Sequence, residues 1–105
     1  MAAPTVVDIG SLIYSDPGYR HGKPCIAGTG MSVQSVAIRY QQGMSAETMA
    51  ADIPDIPLSH FHAAIAFYLA NRARIEADIA ADEAEGDRLE AEFKLARAAG
   101  RLPDA

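Results

Sequence analysis

Two histidines near the middle of the chain, His60 and His62, are of a residue type that can bind a metal ion. His60 and His62 are two residues apart, so on a helix their side chains diverge by about 200° around the axis. A helix that chelates a metal presents its histidines four residues apart, and no cysteine lies nearby to complete a site. We therefore expect no metal site here and interpret the pair as polar residues in a first helical turn.

A glycine-rich segment, residues 22–30, resembles a phosphate-binding loop only superficially. A Walker loop needs Gly-Lys followed by Ser or Thr, but Pro24 follows Lys23 and removes an amide donor. Val33 stands where a dinucleotide-binding fingerprint has its third glycine. Cys25, on a predicted strand with no apparent base beside it, is typical of a buried thiol. We expect no cofactor, no catalytic residue and no enzymatic activity.

Composition restricts where the chain acts and what it binds. A single cysteine allows no internal disulfide, and residues 1–8 show neither the basic region nor the apolar run of a signal peptide. The most apolar helical stretch, residues 56–71, is too short and polar to span a bilayer. We expect a cytoplasmic protein with no membrane partner. The net charge of −5 means that any DNA contact needs a local basic patch, a dimer or a partner protein.

Two short apolar runs near the N-terminus predict a β-hairpin. The runs, residues 11–15 and 24–27, lie on either side of an Asp16-Pro17-Gly18 turn, and residues 1–8 before them read as a flexible tail. A lone hairpin is marginally stable, and the alanine-rich composition without tryptophan favours a modest core. We therefore expect a homodimer that involves residues 10–30.

Helical periodicity begins after the hairpin. Ser32 is the predicted N-cap of a first helix that Gly43 ends, and Ser45 is the N-cap of a short second helix that ends before Pro54. Ser59 is the predicted N-cap of a third helix. The expected fold is mainly α, with a short N-terminal β-hairpin, a three-helix helix-turn-helix core and a long C-terminal helical arm.

The third helical pattern has no obvious end. It continues to about Glu85, where Gly86 offers a break, and a further stripe of Leu89, Phe93 and Ala96 follows. Between residues 76 and 92 there are eight acidic side chains and one basic one, Arg88. This shift in composition predicts a core of residues 9–74 and a separate arm of residues 75–105.

A helix-turn-helix pattern is formed by the short second helix, the proline-containing turn and the third helix. In DNA-binding examples the second helix of the pair enters the major groove by its N-terminal residues. The candidate DNA contacts are that first turn and the scattered basic residues of the core: Ser59, His60, His62, Arg39, Lys23 and Arg20. The alternative is a helix-turn-helix that is only structural, in a protein–protein adaptor without DNA binding.

Several short motifs along the core resemble those of the domain of unknown function family 433. They are Asp16-Pro17-Gly18, Gly22-Lys23-Pro24 with Ile26-Ala27-Gly28-Thr29, Gly43-Met44-Ser45, Asp52-Ile53-Pro54 and Ala63-Ala64 with Phe67-Tyr68. The resemblance covers roughly residues 10–72. Two positions depart from the family pattern, which usually has Arg where this chain has Gly30 and Pro where it has Ser32.

The resemblance implies a homeodomain-like helical core and the role of a VapB-type antitoxin, paired with a PIN-like ribonuclease toxin. Such a protein binds its own operator DNA through the helix-turn-helix and neutralises the toxin with its C-terminal arm. The arm lies outside the resemblance, so its role rests on composition. Its acidic stretch complements a basic RNA-binding groove.

The candidate toxin contacts are the apolar anchors and basic side chains of the arm: Ile75, Ile79, Leu89, Phe93, Lys94 and Arg97. The alternative is a helical hairpin, or a coiled dimer arm, whose charges are solvated.

Overall fold

The chain is mainly α-helical and carries one short antiparallel hairpin, as the sequence predicts. The computed structural model describes residues 6–18 and 22–100. Over these residues a 3₁₀ helix (Ile9–Leu12) precedes strands β1 (Ile13–Tyr14) and β2 (Cys25–Ile26). The helices that follow are α1 (Val33–Gln41), α2 (Ala46–Asp52), α3 (Leu58–Ala70) and α4 (Arg72–Ala98).

The hairpin is shorter than the apolar runs suggest. Ile13 pairs with Ile26 and Tyr14 with Cys25. The first predicted strand loses its beginning because the Asp8 side chain accepts a hydrogen bond from the Gly10 amide and starts the 3₁₀ helix. Residues 6–8 of the predicted tail are exposed, and residues 1–5 lie outside the described part of the chain.

Helices α1 and α2 begin at the predicted caps. The Ser32 hydroxyl accepts a hydrogen bond from the Ser35 amide at 3.1 Å, and the Ser45 hydroxyl does the same for the Thr48 amide. Gly43 follows α1 with a φ of +90°, a conformation that favours glycine. Ser32, one of the two departures from the family pattern, thus supplies a side-chain cap that proline lacks.

The predicted start of α3 is wrong by two residues. Pro57, in an extended conformation, is the N-cap, and it makes no side-chain capping bond. Ser59 therefore lies inside the first turn, where its hydroxyl is 3.2 Å from Nδ1 of His60. Proline suits this boundary because its φ is fixed near the helical value and the helix can follow at once.

Helix α3 is the centre of the core. It packs against α1, α2 and the hairpin. Its Phe61, Ala64 and Tyr68 side chains are fully buried, as are Val36 of α1 and Met49 of α2. The Tyr68 hydroxyl accepts a hydrogen bond from Gln41 Nε2 at 3.0 Å, so the buried phenol keeps a polar partner.

The boundary between α3 and α4 lies at Asn71 and not at Gly86, where the sequence suggested a break. Asn71 has a non-helical backbone (φ −124°, ψ 36°), and its Nδ2 donates a hydrogen bond to the Phe67 carbonyl. An asparagine side chain that competes for backbone carbonyls interrupts a helix readily. Gly86 only lowers helix propensity, and α4 continues through it.

The chain divides into two compact units, one ending at Ile75 and the other beginning at Glu76. Ile75 is 1% exposed and belongs to the first unit. In the second unit every residue from 80 to 95 is exposed. Over the described residues, no helix is both long and apolar enough to cross a membrane.

Candidate protein and nucleic-acid interfaces

Helices α2 and α3 form the predicted helix-turn-helix corner. Their connection, residues 53–57, is anchored by Ile56, which is buried, and α2 packs against α3. The first turn of α3 presents Leu58, Ser59 and His62 at the surface, while His60 is half-buried. The structure therefore gathers three of the six predicted DNA contacts, Ser59, His60 and His62, on one helical turn.

The two histidines have different neighbours. His62 Nε2 lies 3.5 Å from Glu47 Oε1, and both side chains are well exposed. His60 Nδ1 faces the Ser59 hydroxyl. Among residues 6–18 and 22–100, no three side chains of the metal-binding types cluster as a metal site requires. The corner thus offers one histidine that pairs with a carboxylate when protonated, and one that exchanges a hydrogen bond with a serine.

The corner is acidic apart from the histidines. Between residues 46 and 62 the exposed charged side chains are Glu47, Asp52 and Asp55, and the segment contains no lysine or arginine. The negative charges of these three carboxylates would repel the phosphate backbone of DNA. This electrostatic feature follows from the sequence, yet the sequence reasoning missed Glu47 as a neighbour of His62.

The predicted basic contacts lie on other elements. Arg39 is on α1, where it lines a shallow cleft of about 420 Å³ together with Ser35, Ile38, Gln42 and Met44. Lys23 is half-buried just before β2, and its carbonyl oxygen accepts from the Cys25 thiol. Arg20 lies outside the described residues.

A second cleft is apolar, and the sequence reasoning did not foresee it. It has a volume of about 350 Å³ and is lined by Ile9, Gly10, Ile13, Ala63, Ala66 and Phe67. The segment beside it carries exposed apolar side chains, with Val6 89% and Ile9 64% exposed. The sequence signal for this cleft is the Val-Val-Asp-Ile run at residues 6–9. It was not counted as part of a site because residues 1–8 were interpreted as a flexible tail.

Helix α4 exposes three large apolar side chains of the second unit. Leu89 is 50%, Phe93 51% and Leu95 66% exposed. Ile75 and Ile79, two predicted toxin anchors, are 1% and 7% exposed, so they offer no surface to a partner in this conformation. Leu95, which was not predicted, is the more accessible anchor and lies off the Leu89/Phe93 stripe.

Ion pairs link charged side chains along α4. Arg88 donates to Glu85 and to Glu92, and Lys94 lies 3.1 Å from Glu90. The hydrogen bond from Arg88, reinforced by its charge, lowers the pKa of the Glu85 carboxyl. The Arg97 guanidinium sits 5.4 Å from the centre of the Phe93 ring. These pairs support an exposed helix and leave it acidic.

Comparison with known proteins finds a matching family model and a similar solved structure. No curated protein matches the chain. A crystal structure of a DUF433 member protein from Anabaena variabilis ATCC 29413 is similar, with 28% sequence identity and a TM-score of 0.59. The match covers 66% of this chain and 68% of that one.

Residues 13–68 match the family described as protein of unknown function (DUF433). This range runs from β1 to the buried Tyr68 of α3 and so contains the hairpin and the helix-turn-helix corner. It stops before α4. On this match over half of its length, the chain belongs to the DUF433 family.

Proposed function

We propose that this chain is the antitoxin of a type II toxin–antitoxin pair in the cytoplasm. It binds a PIN-like ribonuclease toxin through α4, and as a homodimer it binds operator DNA through α3. The observation that carries the proposal is the exposure of Leu89 and Phe93, which share one face of a helix with little core of its own. Apolar anchors repeated along an exposed helix are typical of helices that bind in a partner's groove.

The charge of α4 supports a basic partner. Eight of the seventeen residues from 76 to 92 are acidic, and one is basic. A ribonuclease that binds RNA carries a positive groove, which such a helix complements. Lys94 and Arg97, further along α4, would exchange their contacts with Glu90 and Phe93 for the carboxylates of a metal-dependent nuclease.

The DNA-binding part of the proposal rests on the first turn of α3. Ser59 and His62 are exposed there, and a helix N-terminus favours phosphate. Lys23, Arg39 and Arg20 would contact the DNA backbone. A homodimer would double these contacts, and the apolar cleft offers surface for a subunit contact that includes Gly10 and Ile13 of the expected residues 10–30.

The test for the toxin-binding part uses the PIN-like ribonuclease that the proposal expects to be encoded beside this protein. RNA cleavage by the purified toxin is measured with increasing amounts of wild type, Phe93→Ala and Val6→Ala. Phe93→Ala should weaken inhibition by roughly 2 kcal/mol if Phe93 is a hot spot. Val6→Ala removes an exposed apolar side chain from the other unit and should inhibit like wild type. Equal inhibition by all three proteins would contradict the role of α4.

The second candidate function is a protein–protein adaptor whose helix-turn-helix only shapes the core. Glu47, Asp52 and Asp55 at the corner favour this reading because they repel phosphate. Gel shifts with operator DNA, with and without the toxin, separate the two candidates. Retarded DNA supports the antitoxin; the absence of a shift in both mixtures supports the adaptor.

A further inference from the structure

One face of α4 carries an apolar stripe with spacing suited to pairing with another helix. Gly86, Leu89, Phe93 and Ala96 follow one another at steps of three and four residues, so they share a face. Leu89 and Phe93 are half-exposed at its centre. Gly86 and Ala96 on either side have small or no side chains and would let a second helix approach closely.

The charges along α4 are distributed unevenly around this stripe. Residues 82–89 hold four carboxylates and one guanidinium, a net charge of −3. Residues 93–100 hold Lys94 and Arg97 and no acid, a net charge of +2. A parallel pair of such helices would set like charges side by side. An antiparallel pair sets each acidic segment beside the basic segment of the other helix, and it also opposes the helix dipoles favourably.

We propose that α4 is an interface for a second copy of this chain, with the two helices antiparallel. Leu89 of each copy packs against Phe93 of the other, and Gly86 lies opposite Ala96. In this register residues 82–89 run beside residues 93–100 of the second copy, so segments of opposite net charge coincide. Glu90 and Glu92 of the two helices meet near the two-fold axis, where their pairs with Lys94 and Arg88 of the same helix offset the repulsion. The interface is two-fold symmetric and therefore closed at a dimer of arms.

The same stripe is the surface assigned to the toxin in the proposed function, so a second copy and a toxin would exclude one another there. Self-pairing would cover Leu89 and Phe93 while no toxin is present. The inference concerns the free chain, and it holds or fails independently of the toxin.

Disulfide trapping in the full-length chain tests the direction and register. Gly86→Cys is accommodated, because a Cβ added there meets no atom within 4 Å, and the native Cys25 is buried. Gly86→Cys and Ala96→Cys proteins are oxidised separately and as an equimolar mixture, with wild type as the control. The antiparallel pair predicts a crosslinked species in the mixture that mass spectrometry assigns to the residue 86–96 disulfide. Crosslinks formed mainly by each variant alone, or none in the mixture, would overturn the proposal.

Light scattering over a concentration series provides a second, independent measurement, and no toxin is added. Phe93→Ala should weaken self-association of the free chain by about tenfold or more, since Phe93 is a central anchor. Leu95→Ala is the matched control, because Leu95 is exposed on α4 but lies about 200° around the helix from Phe93. Association unchanged by Phe93→Ala, or weakened equally by both substitutions, would refute the interface. Circular dichroism of each variant verifies that α4 remains helical.

Discussion

A single acidic side chain, Glu47, makes the first turn of α3 less favourable for DNA binding because it lies next to His62. His62 lies on the exposed side of the first turn of α3, where a recognition helix places its base contacts. Glu47, from the preceding helix, lies 3.5 Å from it. The proposed DNA binding by this turn must therefore overcome the repulsion between Glu47 and phosphate.

The histidine pair itself is the first test at this scale. Replacing both His60 and His62 with Ala should weaken operator binding by about 1–3 kcal/mol if each reads a base. The substitutions leave Phe61, the fully buried residue between them, in place, so the fold should be kept. Gel shifts measure the change at fixed salt. An unaltered shift would mean that α3 is not a recognition helix.

Glu47 gives a prediction of the opposite sign. Glu47→Gln removes a carboxylate beside the N-terminus of α3, so operator affinity should rise, most clearly at low salt where screening is weak. Glu83→Gln changes the net charge equally but lies on α4, and it serves as the matched control. Fluorescence anisotropy with labelled operator measures both. The same gain in both variants would show that net charge, and not the corner, governs binding.

At the scale of elements, α4 belongs to both units of the chain. Its first residues, up to Ile75, are in the first unit, and the rest are in the second. Ile75 is nearly fully buried, whereas every residue from 80 to 95 is exposed. The apolar positions that stabilise the core therefore extend past Arg74, the end of the core that the sequence predicts.

The burial of Ile75 predicts a large stability difference within one helix. Ile75→Ala should lower the free energy of unfolding by about 2–4 kcal/mol, because it opens a cavity among packed side chains. Leu95→Ala removes a similar side chain that is 66% exposed, and the change should stay within about 0.5 kcal/mol. Urea unfolding followed by circular dichroism measures both at a concentration where the free chain is monomeric. Equal losses would show that Ile75 is not part of the core.

At the scale of the whole molecule, the negative charge is concentrated in one segment of α4, residues 76–92. The chain has a net charge of −5, yet residues 76–92 alone hold eight acids and one base. The remainder of the chain is therefore slightly positive. Such a distribution would steer a basic protein partner toward α4.

This distribution predicts how binding of a basic partner depends on salt. Raising the ionic strength from about 0.05 to 0.5 M should slow association with the ribonuclease on the order of tenfold, because long-range steering is screened. The dissociation rate should change much less, since the apolar anchors Leu89 and Phe93 determine it. Surface plasmon resonance separates the two rates. Salt-independent association would count against an acidic docking helix.

Local signals in the sequence determined most of the secondary structure. Ser32, Ser45 and Gly43 act through hydrogen bonds and backbone angles within a few residues, so their roles as helix boundaries can be predicted without knowledge of the fold. The family motifs lie in the same segment and predict the core for the same reason. The site could be predicted only in part: helical spacing places Ser59, His60 and His62 on one turn and Leu89 with Phe93 on one stripe, but it does not determine which of these side chains are exposed.

Tertiary structure decided where one helix ends, which side chains are buried and which residues of different helices meet. The sequence suggested a break at Gly86, and only the structure shows that Asn71 ends a helix whose last turn contains the buried Tyr68. Burial separates Ile75 and Ile79 from Leu89 and Phe93, although all four fit one helical period. The approach of Glu47 to His62 likewise depends on how α2 packs against α3, because helical spacing fixes which side chains share a face but not what that face meets.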